Sequence, residues 1–432
     1  MSYPDDLKTT INKLNNYSRS SVKIQNQTNG PVGDGDTLVF RLPANSLVDL
    51  SSFAIHANMS CGATGGVDAA NAKVAYLPCR DLSVIRRLTV EMNNTTVCSI
   101  DHYDRVRQFM LDYSMGESNK KYALYGNADP TKIATVNGTV TGIVAGANSG
   151  FNHPIVMDRF IAFMAGKPSY IDTSITGEII VSITLAPASD CLFKPEATAA
   201  DATIAPAYTL ASIYATMTKV SINDGFYYAS IQSALAQNLP FKMCFKNFDT
   251  ATSKSGNQTM NMRTEIQSDS VDLAWFSFMH TNYKQTVALG NVQYEPKTNT
   301  HKYFTRSLQD VTGLSFNVNG QNIPNYVMNK ADIYDKLLND LALSNDRDGG
   351  IYSLITTNAY DQAKYFGVAT CALHHPTAEG SMLSGLSSEG VPISLSLDVQ
   401  STNATNDWTG VLTVMSSRII ECYSGRNIIL IR

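Results

Sequence analysis

The stretch Asp81 to Tyr113, DLSVIRRLTVEMNNTTVCSIDHYDRVRQFMLDY, spells a β-hairpin followed at once by a helix, and the chain spells this unit twice. Val84, Leu88, Val90 and Met92 mark a first strand, Asn93-Asn94 suit the positive φ angles of a tight hairpin, and Val97 to Ile100 return as a second strand. Asp101 is the expected helix cap. Val106, Phe109, Met110 and Tyr113 then fall at i, i+3, i+4 and i+7, which gives a helix one apolar stripe. In the second half the chain reads VTGLSFNVNGQNIPNYVMNKADIYDKLLNDLAL: Leu314, Phe316 and Val318 alternate, Asn319-Gly320 turns, and Ile323 begins the return. The helical stripe there is Ile333, Tyr334, Leu337, Leu338 and Leu341.

Leu88 aligns with Leu314 and Asn93 with Asn319, 226 residues on in both cases. VDLSSFAI at Val48 to Ile55 matches VDLAWFSF at Val271 to Phe278, 223 on, and V-S-I-T-L from Val181 recurs as I-S-L-S-L from Ile393, 212 on. The three matches keep their order at about half the length of the chain. That is the mark of a tandem duplication of one β-rich module.

A chain of 432 residues suits two such modules better than one core. With 44% hydrophobic and 16% charged residues the composition is that of a folded protein. A net charge of −4, with Lys and Arg scattered in nothing longer than pairs such as Arg86-Arg87 and Lys120-Lys121, gives no sign of a nucleic-acid surface. The seven cysteines, 61, 79, 98, 191, 244, 371 and 422, are odd in number and widely spaced, so reduced and buried thiols are expected, with no disulfide framework and no CxxC metal site. MSYPDDLKTT lacks the form of a secretion signal, and no run of about 18 apolar residues occurs. The sequons at Asn94, Asn137 and Asn403 are therefore expected to be unused.

Residues 1–35 read as an N-terminal arm with a short helix, Leu7, Ile11 and Leu14 lying at helical spacing. A first module follows over 36–223, a connecting helix over 224–240 and a second module over 241–432. Between Gly116 and Gly177 little regular structure is expected, with Val136 to Gly150 an exposed loop. The C-terminal NIILIR is apolar enough for a last strand or a docking tail.

Two antiparallel β modules in tandem, each with a helix straight after a mid-module hairpin, resemble the double jelly-roll major capsid proteins of the tectivirus and adenovirus lineage. The hairpin-helix units at 81–113 and 311–341, the paired VDLxxF strand starts and the loop-then-strand GLSSEGVPISLSLDV at Gly385 to Val399 carry the resemblance. It implies an all-β fold of two eight-stranded antiparallel jelly rolls. It also implies a shell subunit of an icosahedral DNA virus that forms pseudo-hexagonal homotrimers. Neighbouring trimers, penton and minor or cement proteins would be its partners, with an inner membrane a further contact for residues 1–35, and the virion its location.

Rival chemistry finds little support. His374-His375 near Cys371 are adjacent, so in a strand they would point to opposite faces and could not pair on one metal. His102 beside Asp101 and Asp104 resembles acid-base machinery, but its counterpart 226 on, Met328, cannot titrate, and helix capping with surface hydration is expected. Asp49 and Asp272 hold one position in both modules, read as bonds to backbone just before a strand. Trp275 reads as core, and neither it nor Trp408 sits in an aromatic-rich polar loop of the kind that stacks on sugars. No GxxxxGK[ST] phosphate loop is present. No catalytic, cofactor or metal residue is assigned. A jelly-roll carbohydrate-binding or carbohydrate-active protein, or a viral spike, is the alternative.

Overall fold

Strict alternation writes the sheets. In Ile179–Leu185, IIVSITL, the odd residues Ile179, Val181, Ile183 and Leu185 are buried and those between are half-exposed, as a strand with one face on a core requires. The computed structural model describes residues 17–28, 30–64, 84–114, 135–136, 139–140, 151–158, 160–165, 170–187, 205–222, 225–255, 258–280, 311–341, 368–373, 383–388, 390–401 and 408–431.

In the first half the strands are β1 (Tyr17–Gln25), β2 (Val32–Gly33), β3 (Thr37–Arg41), β4 (Leu47–Thr64), β5 (Ile85–Met92) and β6 (Thr95–Asp101). Helix α1 (Tyr103–Ser114) follows. Then come a small ribbon of β7 (Thr135–Val136) and β8 (Thr139–Val140), β9 (Phe151–Met157), β10 (Tyr170–Asp172), the one-turn α2 (Thr173–Thr176), β11 (Ile179–Leu185) and β12 (Ala205–Ile222). Helix α3 (Gly225–Ala236) connects. The second half has β13 (Phe241–Ser255), β14 (Thr259–Ile266), β15 (Val271–His280), β16 (Val311–Val318), β17 (Gln321–Met328), α4 (Lys330–Asp340), β18 (Ala369–Ala372), β19 (Ile393–Ser401), β20 (Trp408–Tyr423) and β21 (Asn427–Ile431).

The sheets pair these strands in one plan used twice. The first module orders β1-β12-β4-β10 in one sheet and β3-β11-β5-β6 in the other. The second orders β13-β20-β15-β18 and β14-β19-β16-β17, the same plan strand for strand. Among the described residues β2 and β9 add to the first sheet and β21 to the third, so the strand count exceeds the eight per module expected from the resemblance. Buried apolar residues of both modules form one continuous cluster.

The hairpin turns form as their sequences demand. Asn93 and Asn94 take φ of 46° and 64°, and Asn319 and Gly320 take 51° and 85°. Three expectations need correction. Residues 17–25, assigned to the arm, form β1, which pairs along its whole length with β12 from Tyr17↔Ile222 to Gln25↔Tyr214. Only Val22 and Ile24 of that strand point at the core, so its sequence carries too few apolar positions to announce a strand. Gly116 to Gly177 contains β9, β10 and α2 in addition to the ribbon, because long-range pairing with β4 supplies order that local pattern does not. Met328 is not the counterpart of His102: Leu88 faces Ile100 and Leu314 faces Met328, so two more residues lie between the turn and that pair in β17 than in β6. The helix expected over residues 1–16 lies outside the described residues.

Candidate assembly surfaces

The two modules meet along an aromatic seam. The first contributes Phe109 of α1 and a 3-10 turn at Ala162–Ala165, and the second contributes β13 and Trp275 of β15. Phe109 of α1 stacks on Trp275 of β15 with ring centroids 4.4 Å apart, and Phe248 meets the same indole edge-on at 5.9 Å. Phe163 packs edge-on against Phe245 at 5.6 Å. Trp275 is 1% exposed. It is core, as the sequence suggests, but the core it belongs to is the joint between modules.

Polar bonds close the seam at its rim. Asn93 Nδ2 donates to the Arg426 carbonyl at 2.9 Å, and Arg426 Nε donates to the Ser174 carbonyl at 3.4 Å. Arg418 Nη2 binds Asp249 at 2.9 Å beside Cys98. Burial pushes that thiol up to about 12, and the same cause pushes Cys371 and Cys422 to about 12. Thiols held so far into the neutral form are poor nucleophiles and poor metal ligands, in keeping with the reading of these cysteines as packing residues.

Strand β15 is consequently buried on both faces, with Trp275 and Ser277 towards the first module and Ala274 and Phe276 towards its own sandwich. Its counterpart β4 is not. Phe53 fills the first module's core, while Ser52, Ala54 and His56 on the other face are half-exposed. On that open face His56 stacks on Tyr214 at 4.9 Å and bonds Thr216 Oγ1 at 2.9 Å, and Lys23 Nζ lies 4.0 Å from the centre of the Tyr214 ring. Burial holds the His56 imidazole below its usual pKa; Asp158 opposes this and Lys23 adds to it.

The complementary side is uncovered too. In the first module β6 lies against β13 of the second, with Val97, Cys98 and Ile100 buried. In the second module the equivalent edge strand β17 is exposed over most of its length, with Tyr326 at 53% and Val327 at 56%.

Residues singled out from sequence fall elsewhere. Asp49 and Asp272 do occupy one position in both modules, but within strands, at bulges where β4 meets β12 and β15 meets β20. Asp49 accepts from the Ser51 amide at 3.1 Å and its hydroxyl at 2.6 Å. Asp272 accepts from Lys246 Nζ, Ser270 Oγ and Ser417 Oγ, each at 2.8 Å. These are pins for the bulges: Asp49 makes the expected bond to backbone, at the Ser51 amide, and Asp272 is held by side chains. His102 is 7% exposed, with φ 52° and Nε2 3.0 Å from Arg86 Nη2, so it is buried where surface hydration was expected. Asp101 does not cap α1; it ends β6 and pairs with Arg87 at 3.1 Å. Side-chain caps stand at α2, where Asp172 accepts from the Ser174 amide, and at α4, where Asn329 and Asp332 form a capping box. His374 and His375 lie outside the described residues. Among the described residues, no three His, Cys, Asp or Glu side chains gather closely enough to hold a metal ion.

No protein-family model matches the sequence, and no curated protein does. Solved structures match over nearly the whole chain. The PBCV-1 virus capsid aligns with 96% of this chain and 97% of its own at a TM-score of 0.58 and 14% identity. The Faustovirus major capsid protein aligns with 94% of this chain and 91% of its own at 0.57 and 10% identity. The cryo-EM structure of the Sputnik virophage aligns over 96% and 88% at 0.58 and 10% identity. Identities this low carry the fold, and the fold is the double jelly roll of those capsid structures.

Proposed function

We propose, from the double jelly-roll fold, that this chain is the major shell subunit of an icosahedral double-stranded DNA virus and that it works by self-assembly without catalysis. The observation that carries this reading is the repetition of one sheet order in both modules, in a chain that aligns almost end to end with viral capsid proteins. Repetition serves tiling. Three chains with two similar modules each present six nearly equivalent sides, so a threefold assembly fits a hexagonal lattice through one kind of lateral contact. The Phe109–Trp275 seam fixes the angle between modules inside one chain, a condition for that contact to recur with a fixed geometry.

Trimers would then associate through weaker contacts that allow misplaced subunits to leave before closure. Penton and cement proteins, and a membrane contact through residues 1–35, belong to the same proposal. Sizing of the purified protein by light scattering, followed by negative-stain imaging, tests it. The expected result is a stable trimer with a hexagonal outline. A monomer that binds metal or turns over a glycoside would overturn it in favour of a jelly-roll enzyme or lectin.

A further inference from the structure

We infer that residues 1–16 form a short helix that packs along α3 of the same chain, with Leu7, Ile11 and Leu14 on the open side of α3 that Ile231, Leu235 and Ala236 border. The inference concerns a single chain and stands apart from the shell reading. Helix α3 differs from α1 and α4 in composition, since from Gly225 to Phe241 the sequence carries no charged residue. Yet none of its described side chains is buried. Ile231 and Leu235 touch the core but stay half-exposed, and Ala229 and Ala236 are exposed. Asn238, at φ 59°, ends the helix: the Leu239 amide donates back to the Ala234 carbonyl at 3.0 Å, and Leu239 is left 55% exposed. Among the described residues no strand and no other helix runs close along α3.

The occupant follows from where the chain enters the first sheet. Tyr17, the first residue of β1, is the Cα partner of Ile222, the last of β12, and α3 starts three residues after Ile222. The two strands are antiparallel, so the chain entering β1 and the chain leaving β12 lie side by side, about 4.8 Å apart at the sheet. The 16 residues before Tyr17 therefore reach the sheet beside α3. Lengths match too: residues 5–14 as a helix span about 15 Å, and the 12 residues of α3 span about 18 Å. Leu7, Ile11 and Leu14 fall at i, i+4 and i+7 in one stripe, and Asp5, Asp6, Lys8 and Lys13 fall off it. A helix of so few turns is marginal alone in water and gains its stability from a partner. Laid antiparallel to α3, it covers its own stripe and the open side of α3 together. Its four charged residues stay outward, for contacts beyond the chain.

Hydrogen exchange of the full chain, resolved by segment, tests the docking, with thermal unfolding confirming that each variant still folds. In the native chain the amides of residues 7–14 are expected to exchange about tenfold or more slowly than in a free peptide of residues 1–16. Ile11→Asp in the segment and Ala236→Glu on α3 are each expected to return residues 7–14 to the free-peptide rate. Ile11→Asp is also expected to speed exchange in residues 229–239, a reciprocal loss that only mutual packing gives. Both sites are chosen outside the core, so a folded variant is expected in each case. Free-peptide rates for residues 7–14 in the native chain would overturn the inference. Protection that is present in an oligomer and lost on dilution to the monomer would place the segment on a neighbouring copy and overturn docking within the chain. Neither result bears on the shell reading, which the sizing measurement decides.

Discussion

Phe53 and Phe276 sit at the same place in two copies of one motif and are equally buried, yet the residue before each has a different fate. Trp275 packs between modules, while Ser52 stands on a half-exposed face and bonds the Thr218 amide at 2.8 Å. The inward faces of the two sandwiches have stayed alike because a jelly roll needs the same core wherever it stands. The outward faces have diverged: one packs on the other module and one is open within the chain. A duplicated module thus keeps the interactions that fold it and varies those that place it.

Substitution at this pair sharpens the contrast most. Trp275→Ala is expected to cost about 3–5 kcal/mol, as for other large-to-small changes in a packed interior. Ser52 also donates to the Asp49 carbonyl, so Ser52→Ala is expected to cost about 1–2 kcal/mol, the worth of two hydrogen bonds on a half-exposed face. Denaturant unfolding of both variants measures the difference, and equal losses would break the comparison.

The bulge carboxylates come next. Asp272→Ala leaves Ser270 and Ser417 without their acceptor in a buried setting and is expected to cost about 2 kcal/mol. Asp49→Ala, which loses bonds only to Ser51 and a looser 3.6 Å approach of Arg19, is expected to cost about half as much. A reversed order in thermal unfolding would show that the two pins are not used alike.

Hairpin turns should respond together. Asn93→Ala and Asn319→Ala each force a less tolerant residue into positive φ, at about 1 kcal/mol. Each side chain also holds one further bond, Asn93 to the Arg426 carbonyl across the seam and Asn319 from the Ser394 amide, so similar losses are expected. A markedly larger loss at Asn93 in denaturant unfolding would mean that the rim bond outweighs the one inside the sandwich.

The smallest effect is one of pH. Because burial lowers the pKa of His56 in the folded chain, the unfolded chain takes up its proton first as pH falls. Its contribution is therefore full above the unfolded value of 6.5 and is lost as pH drops below it. Melting curves at pH 8 and pH 5 should converge for His56→Gln relative to the native chain.

Turns, strand alternation and helical stripes could be read from the chain because each is set by residues a few positions apart. Asn93-Asn94, Asn319-Gly320 and the VDLxxF pair are cases where local chemistry and final structure agree. Strand β1 escaped notice because an edge strand with two inward residues looks like a polar arm. Counting along the chain matched His102 with Met328, since the two extra residues of β17 show only in the pairing of Leu314 with Met328. Burial of His102 beside Arg86 was equally invisible, because what covers a side chain comes from distant segments.

The amino-acid order alone determined that this protein is two copies of one β module, each with its turns and its apolar faces in register, since those depend on near neighbours and on a period of two. Only the folded chain decided which faces were joined and which left open. Trp275 and Ser52 follow the same pattern in sequence, and what separates them is the presence of Phe109 within stacking distance, a contact between residues brought together by pairing across the whole length of the chain.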